Sequence, residues 1–227
     1  EKSYYGGMKK NLPNAQKPNV LILIRHAESD RNKVKKGLSY FADEYTRNQV
    51  RGVPDHKIAL TEFGQSQAEA TGKGVKERFG VPDYIYHSGY TRTIQTTEGI
   101  LKAYSNEEKS KIKIRQNIFL RERDSGFAYD MTEEEARRHF PWLKEYWEIF
   151  GGFFARPPGG ESLADVVNRA HTFMSIINQR SSGKKIFAVT HGGTIRCLRY
   201  VIEKWTHDRA LAWPPGESPK NCSLTVY

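Results

Sequence analysis

The feature that most constrains this chain is a run of five apolar residues that ends in two basic side chains. Residues 20–24 are apolar without interruption and rich in β-branched side chains, as in a strand that is buried on both faces. Arg25 and His26 follow directly. Ligands of α/β sheets bind at the carboxyl ends of the parallel strands, so these two side chains mark a candidate site. The alternative is a strand that leaves the core and meets solvent at Arg25.

The composition favours an anionic partner. The chain has 227 residues, with 36 Lys and Arg against 26 Asp and Glu, and its net charge is +10. This length suffices for one large α/β domain with a sizeable core. A basic excess attracts phosphorylated metabolites, nucleic acid or acidic surfaces. No zinc-finger spacing, ribonucleoprotein motif or basic zipper is present, so we expect a small-molecule partner and no nucleic acid.

The sequence also bears on location. No apolar run approaches the roughly 18 to 20 residues of a membrane span, and the first residues do not form a signal peptide. Two cysteines, Cys197 and Cys222, do not make a disulfide scaffold. We therefore expect a cytoplasmic protein without a membrane partner, and the oligomeric state stays open.

Strand and helix patterns alternate along most of the chain. We interpret residues 1–19 as a flexible leader and residues 20–227 as a single catalytic domain. The expected strands are 20–24, 84–87, 111–114, 185–190 and 222–226, and the expected helices are 29–36, 61–80, 90–104, 132–140, 162–179 and 193–201. The helices are long enough for crossovers, which predicts a three-layer α/β/α sandwich with a mostly parallel sheet.

An aromatic block interrupts this alternation. We expect residues 127–156 to be an insertion that covers the ligand-binding edge of the sheet as a cap. Its aromatic side chains could line a substrate pocket, or they could pack within the core and the cap. Both interpretations stay open at this point.

Polar residues follow four of the predicted strands and turns. They are Arg25 with His26, Ser88 with Arg92, Glu122 in a charged turn, and His191 ahead of two glycines. In a parallel sheet these positions meet at one edge. Two histidines, two arginines and a carboxylate are a suitable set for phosphoryl transfer.

Phosphoryl transfer gives each of these residue types a purpose. The reaction needs positioning and positive charge around three equatorial oxygens, and the guanidinium fork matches phosphate oxygens in pairs. Backbone amides at Gly192 and Gly193 would add an anion-binding nest. A neutral imidazole can attack phosphorus, and a carboxylic acid can protonate the leaving oxygen and later deprotonate water.

This chemistry requires no metal and no other cofactor. Since no two histidines have the i, i+4 spacing of a zinc site, a metal hydrolase is the weaker enzyme interpretation.

These residues carry a family resemblance. The segment Arg25-His26-Ala27-Glu28-Ser29-Asp30-Arg31-Asn32 resembles the Arg-His-Gly-x-Ser-x-x-Asn signature of the histidine phosphatase superfamily, in its phosphoglycerate mutase-like branch. Five further motifs follow in family order: Leu60-Thr61-x-x-Gly64-x-x-Gln67-Ala68, Ser88-x-x-x-Arg92-Thr93-x-Gln95-Thr96, Leu120-x-Glu122-x-x-x-Gly126, Pro158-x-Gly160-Glu161-Ser162 and Thr190-His191-Gly192. One such motif is weak, whereas six in order make a specific signal.

The resemblance implies a phosphoglycerate mutase-like fold and a role for each site residue. His26 would carry the phosphoryl group, and Glu122 would be the proton donor, with Asp124 as the alternative. The implied phosphate pocket comprises Arg25, Arg92 and His191, with Ser29, Asn32 and Gly192 adding contacts. The choice of His26 as the attacking histidine follows from the resemblance alone.

Three departures from the family pattern bear on the activity. Ala27 replaces the usual glycine beside the nucleophile. Mutases typically carry Trp where this chain has Arg31, and Asn where it has Gly193. We therefore predict a phosphomonoesterase for a small phosphorylated substrate. A phosphoglycerate mutase-type transferase and a catalytically idle phospho-ligand-binding protein are the alternatives.

Overall fold

The computed structural model describes residues 17–36, 40–212 and 218–227, so residues 1–16 of the predicted leader lie outside the described residues. The strands within these ranges are β1 (Val20–Arg25), β2 (Tyr84–His87), β3 (Lys113–Gln116), β4 (Lys185–Thr190) and β5 (Leu224–Val226). The α-helices are α1 (Asp30–Lys35), α2 (Glu44–Asn48), α3 (Glu62–Phe79), α4 (Thr91–Leu101), α5 (Asn106–Lys111), α6 (Glu133–His139), α7 (Leu143–Phe150), α8 (Leu163–Arg180), α9 (Gly192–Glu203) and α10 (His207–Ala212). None of these helices has the length and apolar content that crossing a bilayer requires.

The strands form one mostly parallel sheet, in the order β3-β2-β4-β1-β5. Only β5 is antiparallel among the described strands, and it pairs with β1 at one edge. β1 and β4 are parallel neighbours, in a register that sets Arg25 opposite Thr190. The two strands therefore end at the same level, and the residues that follow them, His26 and His191, lie next to each other.

Side chains of the central strands alternate between two cores, one on each face of the sheet. Leu21 and Leu23 of β1 belong to a core that includes residues of α8 and α9. Ile22 and Ile24 face the other way and belong to a core that includes residues of α3 and α4. Helices thus cover both faces, which confirms the predicted three-layer α/β/α sandwich.

A close approach between α3 and α4 depends on glycine. A Cβ atom on Gly72 would lie 2.5 Å from the carbonyl oxygen of Ile100, and one on Gly99 would lie 2.6 Å from the Cβ of Ala68. Because α4 carries Arg92 in its first turn, this packing helps to set the position of that guanidinium.

The structure differs from the sequence prediction mainly in short elements. Four short helices, α2, α5, α7 and α10, were not predicted. Three of them have only five or six residues, which leaves little apolar periodicity to recognise. The strand expected at 111–114 begins instead at Lys113, after α5. The strand expected at 222–226 begins at Leu224, because Cys222 has a positive φ of 59° that an extended strand excludes.

The aromatic block forms a short 3-10 helix (Gly126–Asp130), α6 and α7, and Pro141 lies between these two helices. Trp142 and Phe150 are exposed, whereas Phe153 is buried in the core that includes α8 and α9. The block therefore divides between surface and core, and its role as a cap stays a prediction.

Candidate active site

His26 is buried directly after β1, and one of its ring nitrogens is already occupied. Nδ1 lies 2.7 Å from the carbonyl oxygen of Ala27, so this nitrogen carries the proton and donates it. Burial, followed by the positive charges of Arg92 and Arg25, lowers the pKa of His26 well below its usual range. The ring is thus a neutral imidazole with the lone pair on Nε2, which is the form that can attack phosphorus.

Two further helices hold the loop that follows β1. The amide of Ala27 donates to Thr96 Oγ1 at 3.0 Å, and the amide of Glu28 donates to Gln67 Oε1 at 3.0 Å. In return, the amide of Thr61 donates to the carbonyl oxygen of Glu28 at 3.0 Å. The second and third sequence motifs therefore position the loop that carries the nucleophile candidate.

His191 is fully buried, and a directed chain of hydrogen bonds sets its tautomer. Arg92 Nε donates to Nδ1 at 3.3 Å. The hydroxyl of Thr93 donates to the carbonyl oxygen of Tyr90 at 2.8 Å, so Ser88 is the donor in its 2.9 Å contact with Thr93. Ser88 Oγ can then accept from His191 Nε2, which lies 2.9 Å away. Burial, with Arg92 as the next cause, lowers the pKa of His191 well below its usual range.

Arg92 is buried and has a carboxylate partner that sequence analysis did not single out. Its Nη1 donates to Asp55 Oδ1 at 3.0 Å and to the Asp55 carbonyl oxygen at 2.6 Å, and its Nη2 lies 3.3 Å from Oδ2. Tyr129 donates its hydroxyl to the same carboxylate at 3.1 Å. An anion that binds Arg92 must therefore share this guanidinium with Asp55.

Glu122 lies in the charged turn that follows β3, and its side chain and that of Arg92 line one cavity. Its Oε1 accepts from the amide of Arg123 at 2.8 Å, while burial raises the pKa of its carboxyl group. A Cβ atom on Gly193 would lie 2.7 Å from this oxygen, so the glycine leaves room for the carboxyl group. Asp124 is exposed and accepts from the amide of Gly126 at 2.8 Å, outside the residues that line the cavity.

An ion pair between Arg169 and Glu161 stabilises the turn that carries Glu122. Arg169 donates to the carbonyl oxygen of Arg121 at 2.7 Å and to the carboxylate of Glu161 at 3.1 Å. Glu161 accepts from the amide of Asp124 at 2.9 Å and returns a bond from its own amide to the Asp124 carbonyl oxygen. Glu161, which belongs to the motif at residues 158–162, thus stabilises the turn without lining the cavity.

These elements enclose a cavity of about 190 Å³. Its lining comprises six predicted site residues, Arg25, His26, Ser29, Asn32, Arg92 and Glu122, and six further residues, Arg31, Lys35, Asp55, Arg123, Ser125 and Tyr129. His191 does not line the cavity, and its ring centroid lies 5.1 Å from that of His26. Gly192 does not line the cavity, and a Cβ there would lie 3.6 Å from Arg25 Nε.

The remaining predicted residues already have structural partners. Arg25 Nη1 donates to the carbonyl oxygen of Pro219 at 2.6 Å, but its buried Nε has no hydrogen-bond partner among the described residues. Ser29 caps α1 in a capping box with Asn32, whose Oδ1 also accepts from Asn221 at 3.1 Å. Capping and ligand binding are compatible, so phosphate contact by this pair stays a prediction.

Sequence analysis missed several of the lining residues for identifiable reasons. Asp55 lies in a Pro-Asp turn, and nothing local indicates that it meets Arg92. Arg31 and Lys35 are four residues apart and so share a face of α1, a signal that was available. Within the described part of the chain, no cluster of three or more His, Cys, Asp or Glu side chains could hold a metal ion.

Comparison with known proteins decides the family. The sequence model of the histidine phosphatase superfamily (branch 1) matches residues 21–227. The chain belongs to this superfamily. The resemblance and the phosphoglycerate mutase-like fold predicted from the sequence are thereby confirmed.

Relatives within the superfamily carry different names. A phosphoglycerate mutase-like protein of Arabidopsis thaliana, AT74H, is 34% identical over 209 residues, which cover 83% of this chain and 67% of that protein. A 2,3-bisphosphoglycerate-dependent phosphoglycerate mutase of Parvibaculum lavamentivorans is 28% identical over 198 residues, which cover 86% of this chain and 85% of that protein. The superfamily thus includes mutases among the relatives of this chain.

Solved structures share the fold. A mycobacterial glucosyl-3-phosphoglycerate phosphatase in complex with VO3 superposes with a TM-score of 0.68 at 23% identity, over 91% of this chain and 90% of that one. YhfR of Bacillus stearothermophilus superposes with a TM-score of 0.66 at 24% identity, over 91% and 89% of the two chains. At these identities the likeness establishes the architecture alone.

Proposed function

We propose that this protein is a phosphomonoesterase that hydrolyses a small phosphorylated substrate through a phosphohistidine on His26. The observation that carries the proposal is the pairing of a neutral, buried imidazole with a carboxyl group of raised pKa in one cationic cavity. The first group is ready to attack, and the second is ready to donate a proton.

The reaction has two steps. In the first, the Nε2 lone pair of His26 forms a bond to phosphorus while the bond to the ester oxygen breaks, and Glu122 gives its proton to that oxygen. In the second, Glu122 takes a proton from water, the water oxygen bonds to phosphorus, and the bond to His26 breaks. Arg25 and Arg92 balance the charge of the equatorial oxygens in both steps.

In this scheme His191 is a neutral hydrogen-bond donor to Ser88, and its ring lies beside that of His26. Its protonated Nε2 is committed to Ser88, and its ring packs edge-on against that of His26. Arg92 is linked to it through Nε, so the guanidinium and the two rings form one connected unit. We propose that this unit holds the phosphoryl group in line with the attacking nitrogen.

A mutase is the second candidate, because several relatives with 28–30% identity are named as phosphoglycerate mutases. Two residues favour hydrolysis. Arg31 and Gly193 replace the Trp and Asn typical of mutases, and the carboxyl group of Glu122 occupies the space that a side chain at position 193 would need. A mutase must retain and reorient the phosphorylated intermediate, and a site without these two side chains is expected to release it to water instead.

The test is phosphoenzyme trapping with p-nitrophenyl phosphate. We expect the wild-type protein to release p-nitrophenol and, after a rapid quench, to carry an acid-labile phosphoryl group on His26 that mass spectrometry detects. His26→Ala should lose both signals, with a fall in turnover of about 10³-fold or more. His139→Ala, which alters an exposed histidine, is the matched control and should retain both.

Three outcomes would count against the proposal. Turnover that survives His26→Ala would exclude His26 as the nucleophile. Absence of turnover with every ester in a screen of phosphorylated sugars, nucleotides and small acids would favour a phospho-ligand-binding protein. Conversion of 3-phosphoglycerate to 2-phosphoglycerate, followed by ³¹P NMR, would identify a mutase.

A further inference from the structure

The lining of the active-site cavity carries more positive charge than one phosphoryl group requires. Its cationic side chains are Arg25, Arg31, Lys35, Arg92 and Arg123, and its carboxyl groups are Asp55 and Glu122. Burial holds the carboxyl group of Glu122 toward its neutral form, which enlarges the cationic excess. Arg25 and Arg92 suffice for the phosphoryl group in the proposed reaction, so the charge on α1 calls for a separate explanation.

Arg31 has several contacts that orient its side chain at this cavity. Its Cζ lies 3.3 Å from the ring centroid of Tyr129 and 5.0 Å from that of Phe41, and its Nη2 donates to the carbonyl oxygen of Tyr129. Its buried Nη1 has no hydrogen-bond partner among the described residues. A buried guanidinium N–H without an acceptor costs free energy, and an anionic oxygen would supply the missing acceptor.

Lys35 lies one helical turn after Arg31 and lines the same cavity. Burial, followed by the charge of Arg31, lowers the pKa of Lys35 to about 8, although Asp130 and Asp55 act in the opposite direction. The chain thus keeps two cations together in a partly buried position, where burial disfavours the charged form of both. Asp55 and Asp130 offset part of this charge, and the Asp55 carboxylate also binds Arg92 and Tyr129.

We propose that Arg31 and Lys35 form a second anion subsite, so that the substrate is a phosphate ester with an additional phosphate or carboxylate group. This inference rests on the proposed function, because it assigns the first phosphoryl group to Arg25 and Arg92. The second anionic group binds beside α1. There the guanidinium of Arg31, oriented by Tyr129, can donate two parallel hydrogen bonds, and the ammonium of Lys35 adds a point charge.

The experiment measures binding without turnover. Isothermal titration calorimetry compares alkylphosphonates with α,ω-alkane bisphosphonates of one to four methylene groups, and with phosphonocarboxylates of the same lengths. These probes resist hydrolysis and differ only in the second anionic group. We expect wild-type protein to bind a bisphosphonate or phosphonocarboxylate of one favoured length about tenfold more tightly than the matched alkylphosphonate. The two series separate a phosphate from a carboxylate preference.

Variants locate the effect. Arg31→Gln and Lys35→Gln should each reduce the affinity advantage of the second anionic group to less than threefold. Lys33→Gln removes the same charge from an exposed position of the same helix and should keep the full advantage. Melting temperatures of all three variants check folding, and Lys35→Gln keeps the test valid if loss of Arg31 disturbs Tyr129.

The proposal is overturned if wild-type protein binds both probe classes equally, or if Lys33→Gln lowers the advantage as much as Arg31→Gln and Lys35→Gln do. Failure of the proposed function has a different signature. A protein that retains the affinity advantage but turns over no ester would have the subsite without the hydrolase activity.

Discussion

At the scale of single residues, the site depends on two groups whose pKa values move in opposite directions for the same main reason. Burial penalises the charged form, which lowers the pKa of His26 and raises that of Glu122. Arg92 and Arg25 add to the effect on the histidine. Burial therefore favours the neutral form of both the nucleophile and the acid, which is the combination that the proposed first step needs.

Glu122→Gln tests the proton donor. We expect kcat/KM for an alkyl ester such as glycerol 3-phosphate to fall by about 10²- to 10³-fold, because a poor leaving group must be protonated as it departs. For p-nitrophenyl phosphate, whose leaving group departs as an anion, we expect a loss of less than tenfold. Steady-state kinetics on both esters measure the difference.

Asp124→Asn is the matched control, since Asp124 lies two residues further along the same turn but outside the cavity lining. It should resemble the wild type on both esters. Equal losses for the two esters in Glu122→Gln would indicate a structural role for this carboxyl group. The leaving-group pattern in Asp124→Asn would transfer the donor role to Asp124.

At the scale of elements, the start of α3 supports the loop that follows β1. A Cβ atom on Gly64 would lie 2.0 Å from the carbonyl oxygen of Glu28, and backbone contacts this short cannot be relieved by a side-chain rotation. Thr61 and Gln67, on either side of this glycine, hydrogen-bond to the backbone of the same residue. The helix and the loop thus fit each other only with glycine at position 64.

A pair of substitutions in α3 tests this fit. Gly64→Ala should lower the free energy of unfolding by roughly 1–3 kcal/mol, since the loop must shift to admit the methyl group. It should also reduce kcat, because the same loop carries His26. Gly74→Ala, where no heavy atom lies within 4 Å of the added Cβ, should raise the free energy of unfolding by about 0.5–1 kcal/mol.

Urea unfolding of both variants, with activity measured in parallel, checks these expectations. Wild-type stability and kcat in Gly64→Ala would contradict the close contact. A loss of stability in Gly74→Ala as large as that in Gly64→Ala would show that α3 tolerates no added methyl group, whatever the contact to Glu28.

At the scale of the whole molecule, the burial of titratable groups makes stability depend on pH. His26, His191 and His87 each have a pKa below the usual 6.5, with burial as the largest cause. Between the lowered value and 6.5 the unfolded chain binds more protons than the folded protein, so acidification favours unfolding. Glu122 acts oppositely between pH 4.5 and its raised pKa in the folded protein, because in this range the folded form retains a proton that the unfolded form releases.

We therefore expect the free energy of unfolding to decrease as pH falls from 7.5 to 5.5, by up to about 1.4 kcal/mol per pH unit for each such histidine. His26→Asn should make this dependence shallower, and Glu122→Gln should make it steeper. Urea unfolding at a series of pH values measures the slopes. A flat profile, or one that neither substitution changes, would contradict the assignment of these buried groups.

The sequence by itself determined the sheet and most of the proposed site. The apolar run of β1 and its polar ending, the similar end of β4, and the order of six motifs are local patterns that survive any detail of packing. Because parallel strands end at one edge, Arg25, His26, Arg92 and Glu122 could be expected to meet there, and the structure brings all four into one cavity.

Only the tertiary structure decided how the rest of the chain completes the cavity. Asp55 reaches Arg92 from a turn 37 residues away, and Tyr129 reaches Arg31 across 98 residues. Neither contact has a signature in its own neighbourhood, because a turn or loop residue acquires its partners from the elements that pack against it. The same holds for Gly193, whose missing side chain matters only because Glu122 lies beside it. Local patterns thus predicted the proposed reacting groups, and packing supplied the residues that surround them.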